Sequence, residues 1–151
     1  MVSPMDDLAG DVRRAAMRPE VVAAVRALYA AIEEEITLRR PVCVVSGRCC
    51  RFEEWGHRLY VTTLELATFA ALGPTSAPAD WAGRGCPFQA GKLCGVYDRR
   101  PMGCRLFFCD TTATQWQQEC YERFHAQLKN LHSQFDVPYR YLEWRAALAA
   151  L

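Results

Sequence analysis

Cys43, Cys49, Cys50, Cys86, Cys94, Cys104 and Cys109 crowd the middle of this chain, and Cys120 follows shortly after. The 42 residues before Cys43 contain none of the eight cysteines, and neither do the 31 after Cys120. Thiols confined to one segment suit a metal site, a disulfide framework or a redox centre. The first group runs Cys43-Val-Val-Ser46-Gly47-Arg48-Cys49-Cys50-Arg51. The second runs Cys86-Pro87-Phe88, Gly91-Lys92-Leu93-Cys94-Gly95-Val96-Tyr97, Arg100-Pro101-Met102-Gly103-Cys104-Arg105 and Cys109. Cys49 and Cys50 are adjacent and would make a strained disulfide with each other, whereas as ligands they can point in different directions. Gly47, Gly91, Gly95 and Gly103 stand close to cysteines, where a turned backbone leaves N–H groups able to reach sulfur.

Thiolate sites gather negative charge, which cations and N–H donors must offset. Arg48, Arg51, Arg84, Lys92, Arg99, Arg100 and Arg105 all lie near a cysteine in sequence. Positive charge nearby also favours the deprotonated sulfur. For each single arginine the blander reading is a solvated surface side chain. Arg105, next to Cys104, is the cation expected to support the ligands from behind.

The rest of the composition narrows the class. A chain of 151 residues, 51% hydrophobic, suits one domain. At that length folding buries roughly 70% of the unfolded surface, so disulfides are not needed to make a core. The net charge of +1 gives no general bias toward nucleic acid or an anionic membrane. The opening residues carry early acids and no apolar signal core. No apolar run approaches the ~20 residues of a membrane span. A cytoplasmic location is therefore expected, and reducing conditions there favour metal thiolates over disulfides.

The combined motif resembles that of the bacterial and archaeal cysteine-cluster proteins with a zinc- or iron-chelating domain. In that family a Cys-x-x-Cys-x-x-Cys-Cys opening precedes a Cys-Pro, a Gly-x-Cys-x-x-Tyr, an Arg-Pro-x-x-Cys-Arg and a last cysteine. Here the matching stretch covers about residues 43–110, with Tyr97, Arg100 and Arg105 at the family's cofactor-side positions. The resemblance implies metal ligands among Cys43, Cys49, Cys50, Cys86, Cys94, Cys104 and Cys109. Ser46 stands where the family's second cysteine is expected. A serine hydroxyl is a poor ligand for soft metals, so one thiolate site with spare cysteines is more economical than two complete ones. Glu53 and His57 are the nearest non-cysteine candidates, although a polar loop role suits His57 better. The cysteine cluster is also similar to that of flagellin lysine N-methylase, a larger enzyme assigned an iron–sulfur centre. This chain has no Gly-rich turn for S-adenosylmethionine, and the methylase activity is not carried over.

Zinc sites commonly pair cysteines two to four residues apart. The second group instead has seven, nine and four residues between successive cysteines, and the first has five and none. Iron–sulfur ligation tolerates such spacing, and a Cys-Pro step occurs in ferredoxin-type ligation. The cofactor expected is an iron–sulfur cluster, weighed slightly ahead of zinc. The leading expectation is a non-catalytic metal-binding module, structural, redox or electron-transferring. A cluster-bearing modification enzyme, or a subunit of one, is the alternative, and a metal chaperone or store is a third. Beyond the metal, a protein partner is left open and unidentified, and neither nucleic acid nor membrane is expected.

These residues need a scaffold, and the fold class expected is mainly α. It is a small helical domain around a loop-rich, cysteine-lined metal centre, with at most a short β-hairpin. Residues 1–42 would supply N-terminal helices, 43–110 the cysteine module and 111–151 C-terminal helices of one domain. Val21, Val25, Leu28, Ile32 and Ile36 recur at helical spacing over 19–39, between Pro19 at the start and Pro41 beyond the end. A shorter helix is expected over 4–17 and a strand at Arg58–Val61. Thr62-Thr63-Leu64-Glu65 reads as a capping box opening a helix to Leu72. A loop follows to Gly85, and irregular structure is expected over 86–110. Trp116, Cys120, Phe124, Leu128, Leu131 and Phe135 predict a helix over 112–135, with Cys120 in the core. A last helix is expected from Tyr139 to Leu151.

His125 and His132 read as polar-face residues of that long helix, and Glu33-Glu34-Glu35 as a solvated segment. Trp55, Tyr60, Trp81, Phe107 and Phe108 read as walls around the site. Tyr139, Tyr141 and Trp144 either cap the core or face a partner.

Overall fold

The computed structural model describes residues 7–41, 50–108 and 110–151. The cysteine positions 43, 49 and 109, with Ser46, lie outside the described residues. The element order is α1 (Leu8–Ala16), α2 (Pro19–Arg39), α3 (Phe52–Trp55), β1 (Tyr60–Thr62), α4 (Thr63–Leu72), β2 (Gln89–Ala90), β3 (Leu93–Cys94), α5 (Met102–Arg105), α6 (Thr114–Gln134), β4 (Tyr141–Glu143) and α7 (Trp144–Ala149). Short 3-10 turns at Tyr97–Arg99 and Thr111–Ala113 precede α5 and α6. The fold is mainly α, with two small two-stranded antiparallel sheets, β1–β4 and β2–β3.

α4 is the central helix. Thr63 through Phe69 are all buried, so it has no polar face, as a helix surrounded by other elements must not. Its capping box forms as the sequence predicts. Thr62 accepts from the Glu65 N–H, and Glu65 accepts from the Thr62 N–H at 2.8 Å. α1 packs on it through Leu8, Val12 and Ala15, and α2 through Val21, Val25, Leu28, Tyr29 and Ile32. α2 ends where Pro41 requires, with Arg40 in the left-handed region at φ 54° and its N–H on the Ile36 carbonyl. On α6, Cys120, Phe124 and Leu128 are buried.

Three expectations are corrected. The last helix does not begin at Tyr139. Tyr141–Glu143 instead pairs with β1, Tyr60 opposite Glu143, and helix starts only at Trp144. The exposed edge of β1 supplies hydrogen bonds that a helix over the same residues would leave unmade, and Trp144 N–H donates to the Leu59 carbonyl at 2.8 Å. Glu143 then caps α7 by accepting from Ala146 N–H.

His132 is not on a polar face. It is 3% exposed, accepts the Leu64 N–H on Nε2 at 3.2 Å and donates from Nδ1 to the Leu128 carbonyl at 2.9 Å. It therefore satisfies an otherwise orphaned N–H in the first turn of α4. Glu33, read as part of a solvated segment, pairs with Arg105 at 3.0 Å and Arg100 at 3.6 Å.

α4 ends against Arg99. Its guanidinium lies 3.7 Å from the centre of the Phe69 ring and donates to the Phe69 and Pro74 carbonyls at 2.8 and 2.6 Å. A cation there suits the negative end of the helix. Gly73 leaves the space, since a Cβ on it would come 2.8 Å from the guanidinium carbon. Arg99 thus supports the scaffold. No helix among the described residues is long and apolar enough to cross a membrane.

Candidate functional site

The two cysteine groups meet through backbone hydrogen bonds. Cys86 N–H donates to the Cys50 carbonyl at 2.7 Å. Gly85 sits at φ 65°, and a Cβ on it would lie 2.6 Å from the Cys50 carbonyl oxygen, so the approach requires glycine. Glu53 accepts from Gly85 N–H at 2.7 Å and pairs with Arg145. The Arg145 hydrogen bond, with the Gly85 N–H, holds the Glu53 carboxyl down at about 2. Glu53 is thus committed to fixing these segments.

The polypeptide then turns back through the β2–β3 hairpin, where Gln89 pairs with Cys94 and Gly91 takes the left-handed turn at φ 64°. Gly95 N–H closes the loop on the Phe88 carbonyl at 2.8 Å, and a Cβ on Gly95 would sit 2.8 Å from that oxygen.

This framework places Cys50 near both Cys86 and Cys94, and the Cys50 side chain is the chief influence lowering each of those thiols. The Phe88 N–H is directed at the Cys86 sulfur and the Val96 N–H at the Cys94 sulfur. The Cys86 and Cys94 sulfurs thus each meet the backbone N–H two residues on. The Cys50 hydrogen bond, helped by the Val96 N–H and the Arg100 charge, lowers the Cys94 thiol to about 6 against the opposing effect of burial. The Cys86 thiol is lowered for the same leading reason. Cys50 and Cys86 are 3% and 7% exposed, while Cys94 is half-buried.

Behind Cys86 stands an aromatic wall. Trp144 packs edge-on to Phe69 at 5.0 Å between ring centres and tilted against Phe88 at 6.1 Å. Its indole N–H is buried and has no partner of full hydrogen-bond geometry. It faces the Cys86 sulfur and helps to lower that thiol. A buried orphan donor is costly unless something negative lies in front of it.

The remaining expected residues occupy distinct places. Cys104 is half-buried on α5, near Tyr29, and lines a cavity with His57 and Phe107. Arg105 is buried and donates to the Arg100 and Asp98 carbonyls at 2.8 and 3.2 Å, besides its pair with Glu33. It lies 4.2 Å from the Tyr29 ring centre, so it shapes the 98–105 segment. Arg100 stacks on Tyr97 at 3.7 Å while its charge reaches Cys94; Tyr97 itself is exposed. His57 stacks on Phe107 at 4.9 Å. Cys120 is in the core, its thiol raised by burial.

None of Cys50, Cys86, Cys94, Cys104 and Cys120 is in a disulfide. Among the described residues, no three or more His, Cys, Asp or Glu side chains are grouped so that they could hold a metal ion. The expected ligands Cys43, Cys49 and Cys109 lie outside the described residues.

Sequence reasoning did not find two contributors. Trp144 was weighed only as a core cap or partner surface, and nothing near it in sequence marks a link to Cys86. Glu65 was read as a capping-box residue alone. It also accepts the Met102 N–H at 2.7 Å, which ties the start of α5, and so Cys104 and Arg105, to α4. The apolar residues around it, Leu64, Leu66, Ala67 and Phe69, are the signal the sequence carries.

Comparison of this chain with protein-family models, with curated proteins and with solved structures gives no match.

Proposed function

We propose that this chain is a metal-binding module in which Cys50, Cys86 and Cys94 supply thiolate ligands to an iron–sulfur cluster or to zinc, in a structural, redox or electron-transfer role. The observation that carries the reading is that Cys50 lies beside Cys86 and Cys94, with the N–H groups of Phe88 and Trp144 acting on the Cys86 sulfur and that of Val96 on the Cys94 sulfur. Thiolates held near one another repel, and a bound cation would remove that cost. The donor set fits such a group, since sulfur ligands with N–H donors around them suit both zinc and iron–sulfur sites. When bound, the group supplies a cross-link between the loops and, as a cluster, an electron-transfer couple. The protein's own part is to hold the thiolates: Gly85 and Glu53 join the two cysteine segments, and Arg100 offsets charge at Cys94.

The burial of Cys50 and Cys86 supports a resident metal over a store, which needs exposed, exchangeable thiols. The resemblance to the cysteine-cluster family supports the same reading. Anaerobic purification followed by metal and sulfide analysis and a visible spectrum tests it. Iron with matching sulfide and broad absorption at about 400 nm identifies a cluster. One zinc in a colourless protein identifies a zinc site. Neither metal, with disulfides found by mass spectrometry, overturns the proposal.

A further inference from the structure

A cavity of about 220 Å³ opens between β1, α5, α6 and β4. Its walls are mostly aromatic. His57 and Phe107 form one stacked side, and Tyr60 and Tyr141, 5.3 Å apart, form another. Gly103 lines it as well, and a Cβ there would come 2.6 Å from Leu59 Cδ1, so the α5 wall is shaped by a residue without a side chain.

Besides His57 and Cys104, the polar groups in the lining are hydroxyls and a guanidinium, all able to donate. The Tyr121 and Tyr141 hydroxyls hydrogen-bond to each other. That contact uses one of their two O–H protons and leaves the other to be donated. Arg58 lines the cavity, is exposed, and has no carboxylate partner among the described residues. No Asp or Glu lines the cavity. An aromatic lining beside a guanidinium that has no carboxylate partner among the described residues suits a flat anion, because the arginine fork matches a carboxylate and the rings match an aromatic body. The volume accommodates one ring, below the range of drug-sized pockets.

We infer that this cavity binds a small aromatic carboxylate, its ring between the His57–Phe107 and Tyr60–Tyr141 walls, its carboxylate on Arg58 and a polar substituent at the Tyr121–Tyr141 hydroxyl pair. The inference goes beyond the metal reading and does not depend on it, since Cys50, Cys86 and Cys94 do not line the cavity. Cys104 lines the same cavity, so a bound ring shields its sulfur.

The test uses the full chain as purified, titrated with 4-hydroxybenzoate, benzoate and benzamide by calorimetry and NMR. Saturable binding of both acids is expected, with benzamide weaker by about tenfold, as loss of a charge-assisted hydrogen bond predicts. Arg58→Gln should weaken benzoate by a similar factor. Arg58→Lys should recover part of that loss. Tyr141→Phe should remove the preference for 4-hydroxybenzoate over benzoate, and either acid should slow alkylation of Cys104. The inference is overturned if neither acid binds saturably, if benzamide binds as well as benzoate, or if folded Arg58→Gln protein binds benzoate unchanged.

Discussion

The backbone N–H of Cys86 donates to the carbonyl of Cys50 at 2.7 Å, a backbone link between the two cysteine groups. It depends on Gly85, whose positive φ and closeness to the same carbonyl exclude a side chain. Replacing Gly85 with alanine should cost about 1–3 kcal/mol of stability, from the strained backbone and the displaced carbonyl. Denaturant unfolding measures this. Gly83, at φ 82° with open space around it, is the control, and Gly83→Ala should cost less.

Glu65 is a second junction. It is 2% exposed, and burial pushes its carboxyl up, against the N–H donors of Met102 and Thr62 and the charge of Arg105. Glu65→Ala leaves the Thr62 and Met102 N–H groups buried without an acceptor, at about 3 kcal/mol or more in total. Thermal denaturation should show this loss, with Glu65→Gln milder because an amide oxygen can still accept. An alanine variant as stable as the wild type would contradict the role given to Glu65.

His132 makes stability depend on pH. Burial lowers its pKa below the ordinary 6.5, and its Nε2 must stay unprotonated to accept the Leu64 N–H. The unfolded chain therefore binds this proton at higher pH than the folded one. Stability is full above 6.5 and falls as pH drops through the lowered folded value. Tyr139 packs edge-on to His132, and His125, itself lowered by burial, adds to the same window. Urea midpoints should fall between about pH 7.5 and about pH 5.5, and the fall should be smaller in His132→Gln. Equal slopes in the two proteins would remove His132 from the account.

Cys94 and Cys120 should differ in reactivity. The Cys94 thiol is lowered to about 6 chiefly by its Cys50 hydrogen bond, while burial raises that of Cys120. Iodoacetamide at about pH 7, on folded protein stripped of metal, should modify Cys94 well before Cys120. Arg100→Gln should slow the Cys94 reaction by withdrawing the positive charge. Mass spectrometry of timed samples reads both sites.

Local signals carried much of the scaffold into the sequence. Pro19 and Pro41 bracket α2, and Thr62 with Glu65 marks the start of α4, because capping and proline geometry act over a few residues. The pairing of Tyr141–Glu143 with β1 was not legible, since it depends on an edge far away in the chain. His132 escaped for a related reason. Its burial is set by the N-terminus of α4, which helical spacing on α6 does not reveal. Within the site, cysteine identity points to Cys50, Cys86 and Cys94 only as three of seven candidates, with Cys43, Cys49, Cys104 and Cys109. The placing of Cys50 near Cys86 and Cys94 rests on the Gly85 approach and the β2–β3 hairpin, and the Trp144 contact depends on tertiary packing alone.

The central claim is that Cys50, Cys86 and Cys94 hold a metal. Its most direct test is metal content per chain, by mass spectrometry of anaerobically purified protein, for the wild type and for Cys50→Ser, Cys86→Ser, Cys94→Ser and Cys120→Ser. The account predicts stoichiometric iron or zinc in the wild type, retention in Cys120→Ser, and loss of most of it in each of the other three. Metal content unchanged by those three substitutions, or none in the wild type, would contradict it.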